Sequence, residues 1–353
     1  MKQLFITSVR DFEKNTMGTV EMREMPMPEP AEDEVRIKII YSSICGSDAH
    51  TLTGHLGEFE EGTKAMLPMT FGHELSGVID KVGPKAEALG YHVGDKVIAN
   101  YAKYCYACDN CRSGHENLCS HVQFCMNGFA EYAVYHVTQV HKLPENYDLE
   151  TAALIEPLAV TVHAAKRFPD INGANVSIIG CGPIGILLMQ SCKALGAAKV
   201  LITDISDYRL ELAKSLGADY AINTAKVPYA DAIAEVFGPD KADVTYECAG
   251  NNATTDMAIQ NSRKGSVIVL VAVFADWAKV DLARLNDSEL TLDTSMMYRH
   301  EDYVDALRFV AEGKIQLKPL ISKHFAFRDF LSAYQYIDAN RERTMKVVVD
   351  IQD

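Results

Sequence analysis

The chain has 353 residues, 48% of them apolar and 23% charged, long enough for two domains with separate cores and ordinary in balance for a globular protein. A formal charge of −14 argues against a nucleic-acid surface and against binding to an anionic membrane, since both call for basic patches. No apolar run approaches the roughly 18 residues of a bilayer span, and residues 1–5 are too short an apolar stretch for a signal peptide, so a cytoplasmic protein is expected, its nine cysteines outside any disulfide framework.

Short strands open the chain. Val35-Arg36-Ile37-Lys38-Ile39 and Val78-Ile79-Asp80-Lys81-Val82 alternate apolar and polar side chains, the period of a half-buried strand, and Gly83-Pro84 and Val93-Gly94-Asp95 punctuate them as turns. Residues 1–158 therefore read as a partly closed β-barrel. Within it, Cys45, in Ile44-Cys45-Gly46-Ser47-Asp48-Ala49-His50, supplies a soft thiolate. Gly72-His73-Glu74 sets an imidazole beside a carboxylate, and Glu156, in Ile155-Glu156-Pro157-Leu158, adds a second carboxylate. That mixed set suits a catalytic zinc with an open position for water or substrate, whereas a structural zinc is closed by four protein ligands. Asp48 reads as the partner that orients His73 through its other ring nitrogen.

Cys105, Cys108, Cys111 and Cys119 follow the pattern C-x2-C-x2-C-x7-C, close enough for a single lobe to wrap one tetrahedral ion with four sulfurs. A nucleic-acid zinc ribbon is the rival, but it wants two separated knuckles and basic flanks, and Asp109 and Glu116 sit inside this loop. A structural zinc lobe at about residues 100–120 fits better. From Glu156 a helical pattern through Leu158, Val160, Val162 and Ala165 links this region to the next.

Beyond residue 173 the rhythm is strand, helix, strand, helix. Val176-Ser177-Ile178-Ile179 runs into Gly180-Cys181-Gly182-Pro183-Ile184-Gly185, and a helix through Leu187, Leu188 and Cys192 ends near Gly196. Asp204 closes the next strand, nineteen residues after Gly185. This is the context the dinucleotide fingerprint requires: glycines let the backbone approach a pyrophosphate held by helix N-terminal amides, and the carboxylate accepts from the ribose hydroxyls. A 2′-phosphate would face Asp204, so NAD is favoured over NADP. Further βα units up to Leu290-Thr291-Leu292 imply a parallel, doubly wound sheet over residues 159–294, after which residues 295–353 are expected to return to the first domain.

Cys45-Gly46-Ser47-Asp48 with His50, then Gly72-His73-Glu74, then Glu156-Pro157-Leu158, resembles the zinc-dependent medium-chain dehydrogenases, in the sorbitol (polyol) dehydrogenase branch. The resemblance covers essentially the whole chain. It implies a GroES-like fold for the barrel, a Rossmann fold for the second domain, and two zinc ions per chain, one catalytic and one structural. It implies an NAD-dependent oxidation of a secondary alcohol, with the polyol, sugar alcohol or vicinal diol as small-molecule substrate. Ser47 and His50 match the family's proton relay, Val160 lies against the nicotinamide, Arg209 accompanies Asp204 in NAD-using members, and Arg299 lines the substrate cleft. Many alcohol dehydrogenases carry a cysteine where Glu156 stands. In the polyol branch Glu74 is a ligand and Glu156 holds the metal directly or through water. Relatives are dimers or tetramers, which implies a homo-oligomer. Two rival readings share these motifs: an L-threonine 3-dehydrogenase, and a non-catalytic zinc- and NAD-binding protein.

Overall fold

The computed structural model describes residues 1–9, 18–53, 66–274 and 277–353, the side chains of 49–51 and 53 excepted. The chain divides into two compact units, Met1–Glu156 with Lys318–Asp353, and Pro157–Leu317. Among the described residues no helix is long and apolar enough to cross a membrane.

The first unit is built around β3 (Glu34–Ser43), whose alternation places Val35, Ile37 and Ile39 in the core and Glu34, Arg36 and Lys38 on the other face. It pairs antiparallel with β5 (Glu74–Val82), β9 (Tyr132–His136) and β18 (Lys346–Asp350). With β6 (Lys96–Ala99), β10 (Val140–Lys142) and β17 (Ile321–Ala326) these make a seven-stranded sheet in the order β10-β6-β5-β3-β18-β17, β9 lying off that path. A second sheet joins β1 (Lys2–Ser8), β2 (Thr19–Glu24) and β4 (Met69–Thr70), and a small ribbon joins β7 (Ala102–Lys103) to β8 (Gln123–Phe124). Phe71, Phe129 and Phe330 meet in the core with ring centroids 5.1, 5.4 and 4.7 Å apart. Each such buried side chain stabilises the fold by about 1.5–3 kcal/mol. The GroES-like β-rich reading of this region matches the sheet observed.

The second unit holds β11 (Asn175–Ile179), β12 (Lys199–Asp204), β13 (Tyr220–Asn223), β14 (Val244–Glu247), β15 (Val267–Leu270) and β16 (Thr291–Thr294), all parallel, in the order β13-β12-β11-β14-β15-β16. This is the doubly wound α/β arrangement. The chain turns one way from β11 to β12 and the other way to β14, and ligands of open α/β sheets bind beyond the strand ends at such a switch point.

One boundary differs from the sequence reading. The return to the first unit comes at Lys318, not at residue 295. Helix His300–Ala311 is anchored within the second unit by Asp302, whose fully buried carboxylate takes His163 Nδ1 at 2.9 Å and Lys166 Nζ at 2.8 Å from helix Ile155–Lys166. A buried carboxylate is tolerated only with such partners, so the pairing fixes which unit owns the helix.

Candidate functional site

In the first unit, strand pairing brings three pieces of chain together. Glu74 opens β5 directly opposite Ser43 at the end of β3, and two residues beyond Ser43 lies Cys45, just ahead of helix Gly46–Thr53. Gly72 makes the turn that delivers His73. Its φ is +85°, and a Cβ there would fall 2.5 Å from the Phe129 ring, so only glycine fits. Asp48, buried in the first helical turn, ties the two loops: Oδ2 accepts from the Cys45 amide at 3.0 Å and Oδ1 from the Gly72 amide at 3.3 Å. Its Oδ1 stands 3.7 Å from His73 Nδ1, longer than a hydrogen bond. Asp48 thus orients His73 chiefly by fixing the backbone around it.

Ligand atoms of Cys45, His73 and Glu74 lie within 4.8 Å of one another. His73 Nδ1 and Glu74 Oε2 are buried with no hydrogen-bond partner among the described residues. Burial, followed by the Glu74 carboxylate, pushes the Cys45 thiol up to about 12. An unpartnered carboxylate oxygen beside a thiol that resists ionisation describes a pocket whose electrostatics ask for a cation. The donor set, one sulfur, one imidazole and one carboxylate, fits zinc.

Glu156 is buried at the start of helix Ile155–Lys166 but does not join that group of ligand atoms. It acts on Tyr101, whose phenol is held well above its ordinary value by burial and then by Glu156. Tyr101 packs on the His73 ring at 4.9 Å and stacks on Phe124 at 5.6 Å, forming an aromatic wall that no motif announces. Ser47 is exposed, and its hydroxyl hydrogen-bonds to the Cys45 thiol. The side chain of His50 lies outside the described residues. Lys346, at the head of β18, was missed by the sequence reading: Nζ donates to Glu74 Oε1 at 2.6 Å. A charged residue opening the apolar run Val347-Val348-Val349 was the available signal.

Cys105, Cys108, Cys111 and Cys119 form a second group within 4.8 Å. The Cys105–Cys111 and Cys108–Cys119 sulfurs are 3.9 and 4.0 Å apart, too far for a disulfide and close to the ~3.8 Å edge of a tetrahedron with zinc–sulfur bonds of about 2.3 Å. Backbone amides converge on the sulfurs: Ala107 and Cys108 donate to Cys105, and Cys105 and His121 donate to Cys119, all at 3.3–3.4 Å. Amides of Cys111 and Ser120 hold the Cys108 thiol down to about 6. Amide donors favour thiolates at Cys105 and Cys108, while burial and the neighbouring thiols push Cys111 up to about 12; a cation shared by four crowded sulfurs would offset that, so the residues fit a structural zinc.

In the second unit the glycine loop follows β11. Gly180 has φ +101°, and a Cβ at Gly185 would fall 1.9 Å from the Gly180 carbonyl oxygen, so the third glycine is what lets strand and helix close. At Gly182 a Cβ would meet nothing nearer than Arg209 Nη1, 3.9 Å away, which leaves that backbone approachable. Pro183 and Ile184 then start helix Pro183–Ala194. Asp204, at the end of β12, is gripped by three amides, from Cys181 at 2.7 Å, Ile205 at 2.8 Å and Ser206 at 2.9 Å. The carboxylate is thereby fixed against the loop with lone pairs to spare. Val160 is half-exposed in an otherwise buried run from Ala152 to Ala165. Arg299 precedes helix His300–Ala311, its Nε buried without a partner among the described residues and its Nη1 3.8 Å from Glu301.

Two family models match: an alcohol dehydrogenase GroES-like domain over residues 31–145 and a zinc-binding dehydrogenase over residues 183–312. The sorbitol dehydrogenase of Halalkalibacterium halodurans is 33% identical over 91% of this chain and 93% of its own length. The crystal structure of the gutB protein of Clostridium scindens is 41% identical with a TM-score of 0.92, covering 100% of both chains. That of galactitol-1-phosphate dehydrogenase from Escherichia coli is 30% identical with a TM-score of 0.87, over 99% of this chain and 100% of its own.

Proposed function

This chain belongs to the zinc-dependent medium-chain alcohol dehydrogenases, and on that premise we propose that it oxidises a polyol or vicinal diol at a secondary carbon with NAD as acceptor. The observation that carries the reading is the Cys45–His73–Glu74 group, whose ligand atoms lie within 4.8 Å of one another with one buried Glu74 oxygen unpartnered among the described residues. Zinc held there would lower the pKa of the alcohol, and the nicotinamide would take the hydride.

The chain's own residues do the rest. Cys45, His73 and Glu74 hold the ion, and Glu156, outside their ligand group, acts through water or accepts from a second substrate hydroxyl. Ser47 Oγ accepts the alcohol proton as it releases its own toward His50, three residues on in the same helix, which passes a proton outward. Tyr101, kept protonated by its burial, offers a donor and an apolar face to the substrate carbons. Gly180, Gly182, Pro183, Ile184 and Gly185 receive the pyrophosphate, Asp204 with Arg209 the adenosine ribose, Val160 the nicotinamide. Arg299 serves the substrate hydroxyls. The four-cysteine lobe holds the second zinc. Nine free thiols suit a reducing, cytoplasmic location.

The test is a panel assayed with NAD: sorbitol, xylitol and 2,3-butanediol beside ethanol, L-threonine and a sugar-alcohol phosphate. Preference for the neutral polyols or the diol is expected. Preference for the phosphate would align the chain with its galactitol-1-phosphate relative, and preference for L-threonine would establish the amino-alcohol alternative. Either would overturn the polyol reading.

A further inference from the structure

Lys346 is buried, 4% exposed, and desolvating an ammonium costs several kcal/mol unless its protons find acceptors. Two acceptors are present: Glu74 Oε1 at 2.6 Å and the Ile44 carbonyl at 3.2 Å. Strand order puts the lysine there. β18 pairs with β3 and β3 with β5, and the Ile44 amide donates to Val347 O at 2.9 Å, so residue 346 sits beside the turn that carries Cys45.

The consequence falls on Glu74. One carboxylate oxygen is engaged by the ammonium, while the other, Oε2, is buried with no partner among the described residues. We propose that Lys346 is the positioning residue of this centre: by tying Oε1 it offers Oε2 alone to the metal beside Cys45 and His73, and its charge offsets the carboxylate where both side chains are buried. The proposal rests on the metal reading of that group. A ligating carboxylate with both oxygens free can take a metal through one or both. A carboxylate held by a neighbouring cation keeps one mode, and with it one coordination number.

Cobalt(II) reports this directly, because its visible d–d bands follow coordination number and its near-ultraviolet bands follow thiolate ligation. Wild type, K346M and K346R are loaded with cobalt, and affinity is measured by competition with a chelator. In K346M the mixed site is expected to bind about 10- to 100-fold more weakly with altered d–d bands, while the four-thiolate signal stays. K346R is expected to restore both affinity and bands. Wild-type affinity and spectrum in K346M would overturn the proposal. So would loss of both cobalt signals together, which would mark Lys346 as general support for the unit. If wild type itself takes up only the four-thiolate ion, the metal reading of Cys45, His73 and Glu74 fails and the proposal falls with it, a result distinct from failure of the lysine alone.

Discussion

Asp204 shows how one carboxylate serves two tasks. Three amides hold it in place, and in the proposed cofactor site the same charge would face a 2′-phosphate. D204N keeps an acceptor oxygen and removes the charge, so the ratio of kcat/KM for NAD over NADP is expected to fall by about tenfold. A wild-type enzyme that already prefers NADP would instead make Arg209 the phosphate ligand. Gly185 carries a steric constraint. G185A would place a methyl 1.9 Å from the Gly180 carbonyl oxygen, and the backbone must shift to accept it, at a cost of about 1–3 kcal/mol. A lowered Tm together with weakened NAD binding is the expected result, and calorimetry with a cofactor titration measures both.

At the level of elements, two ionic clusters fasten segments that the chain leaves far apart, and they depend on pH in opposite directions. Burial works against ionisation of Asp302, but the hydrogen bonds from His163 and Lys166 outweigh it and hold the carboxyl below its ordinary value. Its contribution is therefore complete above the unfolded pKa and fades as pH falls through the folded one. D302A, which removes the carboxylate shared by His163 and Lys166 and leaves Lys166 to Asp305 at 2.7 Å, is expected to cost about 1–3 kcal/mol near neutrality and less in acid, as denaturant melts across pH would show. In the first unit, His324 on β17 bridges Asp350 at 3.0 Å and Glu150, in helix Leu149–Ala152, at 2.7 Å. Burial opposes the charged ring, yet Asp350 and Glu150 raise its pKa above the ordinary histidine value. That stabilisation is complete below the unfolded value of about 6.5 and is lost as pH rises through the folded pKa. Half-exposed as it is, it amounts to less than about 1 kcal/mol. The Tm difference between wild type and H324Q is expected to shrink between about pH 6 and about pH 9; a difference that grew with pH would contradict the assignment.

At the scale of the molecule, the two metal groups are chemically separate. One is four sulfurs in a single lobe; the other is a mixed set of sulfur, imidazole and carboxylate. Metal-replete protein is therefore expected to carry two zinc ions per chain, and the C105S/C108S double variant one. Elemental analysis decides it, and a stoichiometry of one that the double variant leaves unchanged would remove the structural ion. Stripping both ions with a chelator should abolish turnover and lower the Tm, because helix Asp109–Arg112 of the cysteine lobe buries no side chain and would draw its stability from the ion.

The sequence by itself determined what is written in short spacings. The four-cysteine lobe and the glycine loop with its aspartate were legible because covalent proximity and backbone sterics fix them before any long-range contact forms. The strand alternation at Val35-Arg36-Ile37-Lys38-Ile39 likewise named its buried face. Only the tertiary structure decided the rest. Lys346 meets Glu74 across 272 positions through the register of three strands, and Tyr101 reaches His73 from the end of β6. Residues 295–317 stay with the second unit because Asp302 finds its cationic partners there, and Glu156 stands apart from the ligand group its motif suggested. Each of these depends on which strands pair and which charges are buried together, and such choices are made by the free energy of the whole fold and leave no local pattern in the chain.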